Sequence, residues 1–361
     1  MRIGFDARMI TYAGIGRYIK DLLSEIIYQA KEDTFVLFGK KEELKEFSSD
    51  NVEIINWRAP IYSIREQIVQ PYDKYDLDLL HVPHFNIPLF CKTKIIVTIH
   101  DLIYLLFPKA ASSPLARHYA KFMITQSIKK AAHVIAVSKN TKDDLISLFG
   151  DEYGESIAVV YEGASSEFKI MDDEQGSKRV KEKYNLADKM ILYVGSIKPH
   201  KNVGTLIKAY MELKKRGIPH QLVITGRWDR KEDGLRKFID GKDIKYIGEI
   251  PSQDLEILYN SAELLLHLSL YEGFGLTVLE AMQCGTPVVT SGSSSLPEVG
   301  GDAVKNVDPL DVGQIADTVY NILYNNDIKY GMIERGLKQS RRFSWNITAK
   351  KTLEVYRNIK I

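Results

Sequence analysis

Short apolar runs alternate with longer segments of helical periodicity along the whole chain. The runs of the first half are RIGFDA, TFVLFG, VEIINW, DLLHVP, KIIVTIHD, HVIAVS and IAVVYEG, and those of the second half are MILYVGS, HQLVITG, IKYIGEI, AELLLHLS and PVVTS. Most are continuous rather than alternating, which is typical of strands buried on both faces of a parallel sheet. Helical patterns such as GRYIKDLLSEIIYQA, NVGTLIKAYMELKKRG and SQDLEILYNSA lie between them. This alternation predicts an α/β protein with two doubly wound parallel sheets.

A polar segment separates the two series of strands. Residues 170–189, IMDDEQGSKRVKEKYNLADK, are charged and poor in apolar side chains, so we place the domain boundary just before them. The predicted domains are 1–165 and 166–343, and residues 344–361 form a closing helix, capped by Ser344, that packs back on the first domain. Ligands of such sheets bind at the carboxyl ends of the strands, so we expect the domains to face a central cleft that holds the site.

Composition narrows the class of protein. A chain of 361 residues with 45% hydrophobic and 27% charged residues is long enough for two buried cores. The net charge of +2 argues against a dedicated nucleic-acid binder. Two cysteines, Cys91 and Cys284, are too few for a disulfide framework, which favours a reducing cytoplasm. No apolar run is long enough for a signal peptide or a membrane span, so we expect neither.

Two carboxylates frame a helix start in YEGFGLTVLEAMQCGTP. Glu272 precedes the helix predicted from about Gly275, and Glu280 lies within that helix, which Gly285 ends. Unpaired N–H groups and the helix dipole suit an anionic or hydroxyl-rich ligand there. Glutamate is common in helices and loops, so an isolated pair would mean little, but the glycine-rich frame is specific.

Other candidates lie where strands end. Lys198 and Lys201 follow the strand that ends at Gly195, just before a helix, which fits a diphosphate site or a solvated basic loop. Arg227 follows the next strand, where a phosphate contact and a surface salt bridge are equally good explanations.

The first domain offers a glycine pair and a histidine. Gly14 and Gly16, placed just before a helix, suit either close approach of a phosphate or a plain tight turn. His100 ends a strand, where it could bind a sugar hydroxyl, carry a proton or simply pack in the core. Structural roles suffice for the other histidines considered, which are His81, His84, His118 and His133.

At these residues the sequence resembles glycosyltransferase family 4, the retaining, nucleotide-sugar-dependent enzymes of the GT-B fold with two Rossmann-like domains. The family signature is usually written E-G-F-G-x-x-x-x-E, followed by a G-x-P-V turn, and EGFGLTVLEAMQCGTPVV matches it closely. The resemblance extends from GIGRY through HD, VSKNTKDDL, YEGASSEF, VGSIKPHKN and LPEVGGDAV to FSW. It therefore covers nearly the whole chain.

The resemblance implies a role for each matching position. Glu280 would hold the nucleotide ribose, Glu272 would lie beside the donor sugar, and Lys201 would take the diphosphate. The implied donor-binding set is Gly14, Gly16, Gly195, Lys198, Lys201, Arg227, Phe274, Gly275, Leu276 and Glu280, and the implied catalytic set is His100, Lys201 and Glu272. Many relatives carry Arg after the strand-end glycine, whereas this chain has Ser196, so Lys198 or Arg227 would supply that charge.

The resemblance also implies the substrates. HDLIYLLFP and LPEVGGDAV are similar to bacterial mannosyltransferases of surface polysaccharide synthesis, which makes GDP-mannose our first choice of donor and a glycan or lipid-linked saccharide the acceptor. Nothing resembles a D-x-D metal site opposite the predicted diphosphate site, so we expect neither metal nor cofactor. A nucleotide-sugar epimerase, a sugar phosphorylase and, from another class, a catalytically silent nucleotide-sugar-binding subunit are the alternatives.

A one-sided basic stretch favours contact with a membrane. Between Asp101 and Asp143 there is no acidic residue, while Lys109, Arg117, Lys121, Lys129, Lys130, Lys139 and Lys142 fall in that interval. A helix over SPLARHYAKFMITQSIKK would place Arg117 and Lys121 on one face, with Tyr119, Phe122 and Met123 elsewhere on its surface. We therefore predict a cytoplasmic protein that docks peripherally on the anionic inner membrane through Arg117 and Lys121. A basic face paired with acids elsewhere is the alternative.

Overall fold

The computed structural model describes residues 1–110, 113–239 and 241–359. They form two units, the first of Met1–Gly163 with Ser344–Ile361 and the second of Ala164–Phe343. The chain therefore changes unit at Gly163, close to the predicted cut after residue 165. The closing helix, Trp345–Arg357, belongs to the first unit and packs against its first helix. A side chain at Gly163 would meet the backbone nitrogen of Trp345 at 2.2 Å, so only glycine fits at this approach.

The first unit is built on a seven-stranded parallel sheet of order β3-β2-β1-β4-β5-β6-β7. Its strands are β1 Arg2–Asp6, β2 Thr34–Gly39, β3 Val52–Asn56, β4 Leu79–Val82, β5 Ile95–Ile99, β6 His133–Ala136 and β7 Ile157–Val159. Its helices are α1 Ala13–Gln29, α2 Ile64–Ile68, α3 Ile103–Leu106, α4 Pro114–Lys130 and α5 Lys139–Phe149, with the closing helix. Hydrophobic clusters on the sheet include side chains of α1 and the closing helix in one and of α4 in the other.

The second unit repeats the plan with a six-stranded parallel sheet of order β10-β9-β8-β11-β12-β13. Its strands are β8 Met190–Val194, β9 Gln221–Thr225, β10 Ile244–Tyr246, β11 Leu264–His267, β12 Val288–Ser291 and β13 Lys305–Val307. Its helices are α6 Glu174–Tyr184, α7 Val203–Lys215, α8 Ser252–Ser261, α9 Leu276–Gln283, α10 Leu296–Gly300, α11 Val312–Tyr324 and α12 Asn326–Ser340. Two doubly wound parallel sheets, as predicted, thus account for both units.

Short 3-10 segments complete the elements of the described residues. They are Lys45–Phe47, Tyr72–Lys74, Pro108–Ala110, Asp151–Ser156, Pro199–Lys201, Arg230–Phe238 and Gly301–Ala303.

Two elements differ from the sequence-based expectation. The polar segment 170–189 contains helix α6, which buries only Gly176 and Val180 and begins where Asp173 accepts a hydrogen bond from the Gly176 N–H at 2.8 Å. Capping rather than apolar periodicity identifies this helix. Strand β13 pairs with β12 but buries only Val307 among its three residues, which explains why no apolar run marks it.

Candidate functional site

The second sheet reverses its direction of growth between β8 and β11. From β8 the chain crosses to β9 on one side, and from β11 it crosses to β12 on the other. The loops at 195–202 and 268–275, which follow these two strands, therefore flank a crevice at the carboxyl edge of the sheet. Such a switch point is where open α/β sheets bind ligands.

Lys201 and Glu272 meet at this edge. The Lys201 Nζ lies 2.5 Å from Glu272 Oε1 and 2.7 Å from Oε2, and both side chains are mostly buried. Glu272 Oε1 also accepts from the Ser269 hydroxyl at 2.6 Å and lies 2.8 Å from His267 Nε2. Two predicted catalytic residues are thus brought together, and His267 and Ser269 extend the cluster beyond the residues predicted from the sequence.

The environment of Glu272 keeps its carboxyl ionised. Burial by itself raises the pKa of Glu272, but the charge of Lys201 and the hydrogen bond from His267 outweigh burial and lower that pKa below its ordinary value of 4.5. The Ser294 hydroxyl accepts from the Glu272 N–H at 2.9 Å, and the Ser295 hydroxyl donates to the carbonyls of Glu272 and Phe274. The backbone of the loop that carries the carboxylate is therefore held in place by two serine hydroxyls of the segment that follows β12.

Helix α9 begins directly after this loop, as predicted. Gly275 is its N-cap with φ of +113°, a left-handed conformation that favours glycine. Phe274 is buried against Phe343 with ring centroids 5.7 Å apart, and Leu276 is the first helical residue and half-buried. The Gly275–Leu276 step thus presents the helix start, whereas Phe274 anchors the loop in the core.

Glu280 lies one turn further along α9 and is buried. Its Oε2 accepts a hydrogen bond from the Tyr259 hydroxyl at 3.0 Å. Tyr259 belongs to α8 and packs edge-on against Phe168. The two glutamates of the motif therefore have different partners. Glu272 forms an ion pair with the ammonium of Lys201, whereas Glu280 accepts a hydrogen bond from the hydroxyl of Tyr259.

Lys198 and Arg227 are exposed on neighbouring loops. The Ile197 N–H donates to the Arg227 carbonyl at 2.8 Å, which joins the loop after β8 to the loop after β9. Gly195 has φ of +145° and ends β8 as predicted. Both cations thus lie at the carboxyl edge of the sheet that carries Lys201, while their roles stay predictions.

In the first unit, His100 follows β5 and uses both ring nitrogens. Its Nδ1 lies 2.9 Å from Glu162 Oε1, and its Nε2 lies 3.1 Å from the Pro83 carbonyl oxygen, to which Nε2 must donate. The ring also packs edge-on against Tyr18 at 4.7 Å. To contact a substrate, His100 would have to exchange one of these partners.

The glycine pair does not precede helix α1 but lies inside its first turn. The helix begins at Ala13 because the Gly16 N–H already bonds the Tyr12 carbonyl at 2.7 Å. A side chain at Gly16 would meet the Ile10 carbonyl oxygen at 2.3 Å, so close backbone packing by itself explains why glycine is needed at this position. Gly14 is exposed, and a side chain there would meet nothing within 4 Å. Only Gly14 is therefore free for the close approach predicted for both.

Helix α4 confirms the predicted helix but corrects its surface. Arg117 and Lys121 are exposed, and Arg117 donates to the Leu105 carbonyl at 3.2 Å. Phe122 is half-exposed as predicted, whereas Met123 is buried in the core and Tyr119 is partly buried against it. Met123 belongs to the buried stripe of Ala120, Met123, Ile124, Ser127 and Ile128, which has ordinary helical spacing.

Two kinds of feature are absent from the described residues. No group of three or more His, Cys, Asp or Glu side chains in them is arranged to hold a metal ion. No helix among them has both the length and the apolar character needed to cross a bilayer. Cys91 and Cys284 are free thiols.

Known proteins resemble both halves of the chain. Residues 12–168 match the family model "Glycosyltransferase Family 4", and residues 174–339 match the model "Glycosyl transferases group 1". The chain belongs to glycosyltransferase family 4. It is a glycosyltransferase, and the enzyme class predicted from the Glu272–Glu280 motif is confirmed.

Two relatives and one solved structure show how far the similarity of this glycosyltransferase extends. It is 29% identical to the O-antigen chain mannosyltransferase B of Escherichia coli, over 99% of this chain and 100% of that protein. It is 30% identical to the O-antigen chain mannosyltransferase RfbU of Salmonella typhimurium, over 68% of this chain and 64% of that protein. The sucrose-phosphate synthase of Thermosynechococcus elongatus has the same fold, with a TM-score of 0.77 at 20% identity over 99% and 98% of the two chains.

Sequence analysis missed His267, Ser269 and Glu162 as members of the two clusters. His267 ends the apolar strand β11, and a polar residue at a strand end is the one sequence signal that could have identified it. Glu162, in the YEGASSEF motif, has no role predicted from the sequence, although it contacts His100.

Proposed function

We propose that this glycosyltransferase moves a hexose, with mannose from GDP-mannose as first choice, onto a glycan or lipid-linked saccharide with retention of the anomeric configuration. The observation that carries the proposal is the cluster of Lys201, Glu272, His267 and Ser269 at the switch point of the second sheet. The relatives named as O-antigen mannosyltransferases support mannose and a role in polysaccharide or lipopolysaccharide synthesis.

The cations would stabilise the leaving group. Cleavage of the sugar–phosphate bond develops negative charge on the nucleoside diphosphate, and fixed donors at that point lower the barrier. Lys201 has three N–H donors, of which two reach the oxygens of Glu272, so the third can serve a phosphate oxygen. Because the Lys201–Glu272 pair is neutral as a whole, the net positive charge would come from Lys198 and Arg227. This arrangement supports turnover without a metal.

The glutamates would hold the donor. Glu272 remains ionised, since its pKa is lowered, and an anionic carboxylate beside the donor sugar can accept its hydroxyl hydrogens and favour positive charge at the anomeric carbon. Glu280 would take the ribose hydroxyls with its buried carboxylate, which also accepts from the Tyr259 hydroxyl. The start of α9 at Gly275 adds backbone N–H groups and positive dipole potential.

The first unit would receive the acceptor. On helix α4 the exposed cations Arg117 and Lys121 accompany Leu115, which is 79% exposed, and Phe122, which is 51% exposed. Exposed apolar side chains beside cations suit the headgroup region of an anionic bilayer. We therefore retain docking at the cytoplasmic face of the inner membrane and a diphosphate-linked lipid acceptor as part of the proposal, with His100 near the sugar or the acceptor.

A donor panel tests the proposal. Thermal-shift titrations with GDP and UDP should show stabilisation of the protein by GDP. Clearly stronger stabilisation by UDP would argue against GDP-mannose as the donor. Incubation of GDP-mannose with a mannoside acceptor, in EDTA, should give a product whose one-bond C1–H1 coupling identifies an α linkage. Donor conversion without acceptor would instead indicate an epimerase, and loss of turnover in EDTA that Mg²⁺ restores would contradict the metal-free mechanism.

A further inference from the structure

The first sheet has a switch point of its own, between β1 and β4. The loop after β1 carries Arg8, and the loop after β4 carries His84 and Asn86. Because these loops diverge to opposite sides of the sheet, they flank a second crevice at a carboxyl edge, within the first unit alone. None of the residues singled out from the sequence as site residues lies on these two loops.

A cluster of buried, hydrogen-bonded polar side chains forms the floor of this crevice, and we call this cluster the base. Arg8 donates to both oxygens of Asp6, at 2.8 and 2.6 Å, and to Glu66 Oε2 at 3.0 Å. The Asn86 amide donates to the other oxygen of Glu66 and accepts from the Tyr119 hydroxyl at 2.5 Å. Two carboxylates face one guanidinium, so the base has no net positive charge whichever protonation state Glu66 adopts. A phosphate would find no excess cation in it, whereas a neutral, hydroxyl-rich ligand would find fixed polar partners.

Tyr62 lies beside this base, and two further tyrosines with large exposed fractions lie near Tyr62. Tyr12 is 50% exposed, Tyr62 48% and Tyr104 38%. The Tyr62 ring lies 5.5 Å from the His84 ring and 6.0 Å from the Tyr119 ring, both edge-on. Burial is the main reason that the pKa of Tyr62 is raised, and the nearby hydroxyls of Tyr104, Tyr119 and Tyr12 raise it further. Tyr62 therefore lies close to the other tyrosines and keeps its hydroxyl proton.

The hydrogen bonds of His84 fix which way Tyr62 can donate. The Asn86 N–H donates to His84 Nδ1 at 3.2 Å, so Nδ1 has no proton and the proton of the neutral ring is on Nε2. Burial lowers the pKa of His84 to about 3, which agrees with a neutral ring. Nε2 lies 2.9 Å from the Tyr62 hydroxyl oxygen and therefore donates to it. The hydroxyl hydrogen of Tyr62 is left to donate elsewhere.

Tyr62 also has an unusual backbone. Its φ of +65° is in the left-handed region, which bulky residues seldom adopt. Non-glycine residues held in this region cluster at binding sites, where the surrounding structure maintains them. Tyr62 thus combines a strained backbone, an exposed ring and an oriented hydroxyl, which are features of a ligand-binding residue.

We propose that Tyr12, Tyr62 and Tyr104, over the base of Glu66 and Asn86, form a subsite for one pyranose ring of the acceptor saccharide. The apolar C–H face of a pyranose packs on an aromatic ring, and its hydroxyls require the directed donors and acceptors found here. This inference rests on the proposed function, because that function supplies the saccharide acceptor.

Direct binding tests the subsite without turnover. Saturation-transfer NMR of the full chain should detect methyl α-D-mannopyranoside and give a much weaker signal with mannitol, which has the hydroxyls but no ring face. Loss of one neutral hydrogen bond in Tyr62→Phe should weaken mannoside binding about 3- to 10-fold. Tyr12→Ala should weaken it at least as much, whereas Tyr28→Phe, at a tyrosine of α1 that is 70% exposed, should leave it unchanged.

The outcomes separate the subsite from the proposed function. Unchanged mannoside binding in both Tyr62→Phe and Tyr12→Ala, with melting temperatures showing that they fold, would overturn the subsite, as would displacement of the mannoside by inorganic phosphate. If GDP and UDP fail to bind while the mannoside binds as predicted, the proposed donor chemistry fails and the subsite stands. Where transfer is measurable, Tyr62→Phe should raise the acceptor KM and leave the donor KM unchanged.

Discussion

Replacing Lys201 by methionine should destabilise the second unit, because it leaves the Glu272 carboxylate buried without its cation. The side chains of the pair are 17% and 13% exposed, and the ammonium lies within 2.7 Å of both carboxylate oxygens. Breaking a fully buried pair costs about 3–5 kcal/mol. Glu272 keeps its contacts with His267 and Ser269 and some solvent, so we expect the cost to be about 2–3 kcal/mol.

Hydrogen exchange in β8 measures this cost in the second unit alone. Opening made easier by 2–3 kcal/mol should accelerate exchange of peptides that span Met190–Val194 about 30- to 150-fold at pH 7. Lys201→Met with Glu272→Gln should recover most of the loss, since no unpaired charge remains. Lys215→Met, which breaks the exposed pair with Glu212, is the matched control and should change exchange less than about 5-fold.

Acid provides a second arm of the same experiment. The folded-state pKa of Glu272 is lowered, so its stabilising contribution is complete above the ordinary value of 4.5 and is lost as pH falls through the folded pKa. Lys201→Met should therefore lose less stability than the wild type when pH falls below 4.5. Exchange of Lys201→Met within 3-fold of the wild type at pH 7, or strictly additive single and double variants, would refute the pairing argument.

Three further expectations concern other parts of the molecule. Glu280→Ala should weaken nucleotide binding by about 2–4 kcal/mol if two charge-assisted hydrogen bonds to the ribose are lost, and an unchanged calorimetric affinity of the folded variant would exclude that role. Arg117→Glu with Lys121→Glu should weaken sedimentation with anionic liposomes about 30-fold at low salt, and a wild type that ignores such liposomes would remove the membrane proposal. Burial lowers the pKa of His81 and that of His84 to about 3, so each histidine should take about 2 kcal/mol from the stability of the first unit between pH 7 and pH 5, and constant exchange protection of β4 over that range would contradict this.

The sequence predicts the strands well because they are apolar on both faces. Continuous runs such as KIIVTIHD and MILYVGS correspond to β5 and β8, whose residues are all buried. Elements that bury few apolar side chains cannot be predicted from apolar runs. Helix α6 exposes most of its charged residues, and β13 is three residues long at the edge of its sheet.

The candidate site could be predicted in its residues but not in its contacts. The spacing of Glu272 and Glu280 marks the motif, and the helix start between them follows from Gly275. The pairing of Lys201 with Glu272 spans 71 positions and depends on β8 and β11 being neighbours, which requires the strand order. The contact between Arg8 and Glu66 has no local sequence signal, because the two residues are 58 positions apart.

The central claim is that a nucleotide sugar binds at the switch point of the second sheet, and hydrogen exchange with and without saturating GDP tests it most directly. We predict slower exchange in peptides that cover residues 195–201 and 272–280, where the loop after β8 and the start of α9 supply the donors. Peptides of the surface helix α6 should be unchanged and serve as the internal control. Binding of GDP that protects neither segment, or that protects α6 instead, would contradict the account.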